Sequence, residues 1–144
     1  MSPVHFHLML NHLPVVGTIF AALLLGYALI AHSDPVKKIA FGAFVLIALL
    51  AVPAYLTGEP AEEIAEGLPG VTETAIEQHE EAAQVAFASI LVVGALATTG
   101  LAIFRTKAVP RAFAVSVLAL SVVAMAALAW TANLGGKVRH TEIR

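Results

Sequence analysis

The stretch AFAVSVLALSVVAMAALAWTANL, residues 112–134, holds no charged side chain over about 23 positions, and about 20 apolar residues suffice for one helical crossing of a bilayer. Three further runs read the same way: residues 12–31, 39–56 and 82–104. Each is continuously apolar. A membrane β-barrel would instead alternate apolar and polar positions in segments of about ten residues. The runs therefore predict an all-α fold, an integral membrane four-helix bundle of antiparallel up-down topology. Pro53 falls near the end of the second run, where a lost backbone hydrogen bond bends a last turn without abolishing the helix.

The remainder of the chain agrees with this reading. Of 144 residues, 59% are hydrophobic and 12% charged, against roughly 45–50% and about 25% in soluble domains. The mean hydropathy is +0.87. With crossings this long, residues 1–144 make a single transmembrane domain with an acidic loop at 57–81 and a polar tail at 135–144. Met1 to Asn11 contains no Lys or Arg, so the basic n-region of a cleavable signal is missing and the first helix is expected to be retained. That helix has two candidate starts. Ser2-Pro3 could cap and open it, placing His5 and His12 two turns apart on one face; alternatively Asn11 caps it, with Pro14 in the first turn. Small residues recur in the last two runs, including Ala86, Ser89, Gly94, Ala97, Ala114 and Ser121, which allow close helix packing where lipid offers no hydrophobic incentive to associate.

Charge sorts by side. The two short connections, residues 32–38 and 105–111, contain Lys37, Lys38, Arg105, Lys107 and Arg111 against the single acid Asp34. The loop at 57–81 contains Glu59, Glu62, Glu63, Glu66, Glu73, Glu77, Glu80 and Glu81 and no Lys or Arg. By the positive-inside rule the short connections face the cytoplasm, so both termini lie outside, in the periplasm if the membrane is a bacterial inner membrane. Tyr55 and Trp130 fall at the outer boundary, as interfacial aromatics do. Lys137, Arg139 and Arg144 in the tail run against the rule without reversing it.

Topology alone gathers five of the six histidines at this outer end: His5, His7, His12, His79 and His140, leaving only His32 opposite. With no cysteine in the chain, disulfides, iron–sulfur clusters and thiolate or c-type haem attachment are excluded, and imidazole and carboxylate are the strong ligands left. Neutral imidazole is the usual protein ligand of b-type haem iron and also suits copper, iron and zinc. His12 stands where the chain enters hydrocarbon and needs a partner there. His79 lies in Glu77-Gln78-His79-Glu80-Glu81, whose carboxylates could act as the acceptors that fix an imidazole tautomer. His12 and His79 are thus the expected ligand pair, with His5, His7 and His140 in reserve. The bland reading of the same residues is a solvated terminus, a polar helix start and a loose tail. Gly135-Gly136 reads as a helix stop and hinge that would let the tail fold back over the bundle mouth. The acidic loop reads either as a vestibule for cations or a basic partner, or as a solvated segment on the membrane surface, with 61–67 as a short helix.

Several classes are excluded. The chain has no Gly-x-Ser-x-Gly, no His-Glu-x-x-His and no phosphate-binding glycine loop, so hydrolase and nucleotide-driven readings lack support. The di-iron carboxylate pattern needs Glu three residues before His, and His79 has Ile76 there. No charge lies inside the four runs, against an intramembrane proton relay. No basic cluster suits nucleic acid.

The segment His7-Leu8-Met9-Leu10-Asn11-His12-Leu13-Pro14 resembles the opening of a bacterial family of uncharacterised four-helix integral membrane proteins that typically begins His-Pro-x-x-Val-His-Phe-Pro. In that family a Leu-Thr-Gly-like turn ends the second helix and a histidine opens the third, and Leu56-Thr57-Gly58 and His79 are similar to those features. The chain departs from the pattern at Leu8, where the family has proline, and at Asn11, where it has valine. The resemblance implies the fold and points to His7, His12 and His79; it implies no activity.

Two functional expectations follow. The first is a small redox subunit without catalytic activity of its own, holding b-type haem, or copper, iron or zinc, at the outer end for electron transfer with a soluble carrier. The second is an accessory subunit in a larger respiratory or photosynthetic membrane complex, or a handler of metal ions at the outer surface. Self-association into a homo-oligomer is compatible with either.

Overall fold

The computed structural model describes residues 3–139. Within them all regular structure is helical: α1 Pro3–Ile30, α2 Asp34–Leu56, α3 Gly58–Ala65, α4 Glu73–Ile103 and α5 Arg111–Arg139. Four of these, all but α3, are long and apolar enough to cross a membrane. The helices begin earlier than their apolar runs. α1 opens at Pro3, where a proline suits a first helical turn, and α4 opens at Glu73, an acid well placed at a helix N-terminus. The polar first turns are helical too.

The helices pack as a ring in the order α1, α2, α4, α5, with α1 and α4 on one diagonal and α2 and α5 on the other. Buried positions on α1 recur every three or four residues, at Pro14, Thr18, Ala21, Leu25 and Ala28. On α4 the same spacing joins Ile76, Ala86, Ile90, Val93, Ala97 and Gly100. These stripes are inward faces of antiparallel helices. Large apolar side chains also cover the outside: Phe20, Leu23, Leu49, Val85 and Val123 are all more than 60% exposed, as suits helices apolar on every side.

Close approach depends on small residues. A methyl group on Gly94 would overlap the Ala48 side chain, and one on Gly100 would lie 2.8 Å from Phe41 and 2.7 Å from Phe113. Phe41 and Phe44 are fully buried there.

One end of the bundle is closed by a polar clasp. The Val109 backbone N–H donates to Asp34 Oδ1 at 2.7 Å, and Lys37 and Lys38 lie 3.7 Å and 3.0 Å from the same carboxylate. Lys37 is buried and also donates to the Val109 carbonyl at 3.2 Å, while Lys38 donates to that of Lys107 at 2.9 Å. Asp34, Lys37 and Lys38 are thus part of α2 and not of a loop. His32, with φ 50°, turns the chain out of α1 at this end.

Candidate functional site: a histidine pair across the bundle

The opposite end holds the imidazoles. His7 sits in the second turn of α1 and His79 in the second turn of α4. Counting back from Pro14 by three and four gives Asn11 and His7, so both continue the buried stripe of α1; His79 continues that of α4 three residues after Ile76. Because α1 and α4 are diagonal in the ring, the two side chains meet across the interior. Their ring centroids are 6.5 Å apart with planes at 87°. Both are half-buried.

Each ring is oriented by the helix beside it. His7 Nδ1 is 3.1 Å from the Ala54 carbonyl of α2 and 3.4 Å from Thr57 Oγ1. His79 Nδ1 is 3.0 Å from the Thr131 carbonyl of α5. A carbonyl can only accept, so each Nδ1 carries the proton and donates it, and in the neutral ring the lone pair is left on Nε2. Metal-ligating histidines are held this way, with one ring N–H given to a backbone carbonyl or carboxylate. Thr57 Oγ1 in turn donates to the Pro53 carbonyl at 2.9 Å and to the Ala54 carbonyl at 3.0 Å, closing the end of α2 where Pro53 interrupts the backbone ladder.

A glycine leaves room for the His79 ring. A methyl on Gly135 would lie 2.9 Å from His79 Cε1, closer than real side chains approach. A methyl on Gly58 would stand at ordinary contact distance from His7, 3.8 Å from its Cε1. The Gly135-Gly136 pair is not a helix stop: α5 runs through it to Arg139. Gly135 is where an imidazole packs against the helix.

The imidazoles that the structure brings together are those of His7 and His79, not the expected pair His12 and His79. His12 lies five residues beyond His7 and points to another side of α1; it is exposed, with Nδ1 donating to the Leu8 carbonyl at 2.7 Å. It borders an apolar groove between α1 and α2 lined by Val16, Phe20, Leu46 and Leu50. His5 is also exposed. His140 lies outside the described residues. Glu77, Glu80 and Glu81 are exposed, and the acceptor that orients His79 is the Thr131 carbonyl, not one of these carboxylates. Among the described residues no three His, Asp or Glu side chains form a metal-binding group.

Asn11, taken from sequence only as a possible cap, is the residue that sequence reasoning missed. It lies one turn below His7, and its Oδ1 is buried without a hydrogen-bond partner, alone in this among the described side chains. An orphaned buried acceptor costs about 1–3 kcal/mol.

Around the mouth the charge is negative. The carboxylates of Glu80, Glu66 and Glu59 are near enough to act on Glu62 of α3, and α3 packs on α1. Tyr55 stacks on Phe87 with centroids 4.4 Å apart, while Trp130 is 60% exposed. Comparison with protein-family models, curated proteins and solved structures finds no match for the chain.

Proposed function

We propose that this chain is an integral protein of a bacterial inner membrane, with both termini on the periplasmic side, and that it carries one redox-active metal centre between His7 and His79 for electron transfer. The observation that carries the reading is the histidine pair itself. Two imidazoles bound on opposite sides of one ion at about 2.0–2.1 Å place their centroids roughly 6.5 Å apart, and the observed separation is 6.5 Å. Both Nδ1 atoms are committed to carbonyls, so both Nε2 atoms are free to ligate.

The pair suits haem b iron, which takes two neutral imidazoles, and equally a bare copper or iron ion. Either group would supply a one-electron couple. The protein's own residues do the remaining work: Ala54 and Thr131 fix the ring tautomers, Gly135 admits the His79 ring, and the apolar body of the bundle shuts water out from below. Four long apolar helices and the basic clasp at the far end support the membrane reading and its orientation. The acidic mouth favours a soluble electron carrier with a basic face, by steering and by charge complementarity.

The test is the visible spectrum of the purified protein, as isolated and after dithionite reduction, together with its iron and copper content. A reduced band pair of low-spin haem, or a stoichiometric metal ion lost in His7→Ala and His79→Ala, is the expected result. A metal-free, featureless protein that still assembles into a larger complex would replace this reading with that of an accessory subunit.

A further inference from the structure

Resting on the histidine-pair reading, we infer that the centre takes a bare copper ion and that the Asn11 side-chain oxygen is its third donor, leaving at least one coordination position open. Residues four apart on a helix are neighbours, with Cβ atoms about 5–6 Å apart. Helical side chains lean toward the N-terminus and lie over the preceding turn. Asn11 therefore lies one turn below His7 on the inward stripe of α1, with its Oδ1 buried.

Burial gives this placement its meaning. Asn11 Oδ1 is shut off from solvent and has no donor, beside two imidazoles whose Nε2 lone pairs are likewise uncommitted by the backbone contacts. A cation at this end of the bundle would give Asn11 Oδ1 the partner it lacks and take up the two imidazole lone pairs. Haem iron does not answer this arrangement, because four pyrrole nitrogens and two imidazoles complete its coordination and leave an amide oxygen with no role. A bare ion does. With two imidazoles and no carboxylate or thiolate in the set, copper is the ion that neutral nitrogen donors hold best, since it stands at the top of the divalent affinity order.

The experiment uses the full chain in lipid nanodiscs, freed of metal and titrated with copper(II) alone, with binding followed by electron paramagnetic resonance. One copper per chain with two-nitrogen superhyperfine structure is expected. Asn11→Leu, which removes the oxygen and keeps the volume, should weaken copper binding at least tenfold and change the copper spectrum, while the metal-free variant melts at a temperature equal to or above that of the parent. Asn11→Asp should tighten binding at least tenfold. If neither variant changes affinity or spectrum while His7→Ala and His79→Ala abolish binding, the third donor is overturned and the histidine pair stands. Isolation of the protein with stoichiometric haem would overturn the bare ion and again leave the pair. Absence of copper and haem from the parent would overturn both.

Discussion

The two ends of this bundle use polar residues in opposite ways. At the end with the short connections, Asp34, Lys37 and Lys38 satisfy one another and the backbone of residues 105–109, so every charge has its partner within the clasp. At the other end, His7 and His79 each give one nitrogen to a backbone carbonyl and keep the other, and Asn11 keeps an oxygen with nothing to accept from. A satisfied network holds a fold together, whereas a buried acceptor left without a donor is costly to maintain. Under the proposed reading the contrast separates stability from function along the length of one molecule.

The contrast can be broken by substitutions at either end. The largest expected effect is that of Gly135→Leu, which drives a side chain into the His79 ring and should reduce metal binding at least a hundredfold, read by titration of the metal-free protein. Next, Asp34→Ala removes the acceptor of the Val109 N–H and the counter-charge of the buried Lys37. A loss of about 2 kcal/mol in stability against denaturing detergent is expected, with metal affinity unchanged. Equal loss of metal binding in this variant would show that the ends are not independent. Thr57→Val deletes the hydroxyl that closes α2 beneath His7 and should cost about 1 kcal/mol with a fall in metal affinity of no more than severalfold. Smallest is His12→Ala, on the exposed side of α1, which should change stability by less than about 0.5 kcal/mol and leave metal binding as it was.

Much of this architecture is legible in the chain before any coordinates. Continuous apolar runs predict four long helices, and topology then brings the histidines to one end. The first turns of α1 and α4 escape such a reading because hydropathy registers only the apolar part of a helix, while residues 3–11 and 73–81 are polar and helical at once. Which histidine faces inward was harder to see. These helices are apolar on all sides, so the usual contrast between a wet and a dry face is missing. The signal that does exist is the spacing His7, Asn11, Pro14, Thr18, Ala21, a stripe of small and polar residues amid bulkier ones. It becomes readable only if α1 starts at Pro3. Gly135-Gly136 misleads for a similar reason: a glycine pair resembles a helix end, and the ring that explains Gly135 is 56 residues away in sequence, a contact that no local pattern reports.

The central claim, that His7 and His79 and not His12 hold the centre, is tested most directly by measuring the metal content of the purified parent beside His7→Ala, His79→Ala and His12→Ala. One metal or haem per chain in the parent and in His12→Ala, with none in the other two, is the predicted result. Retention of the metal in His7→Ala, or its loss in His12→Ala, would contradict the account.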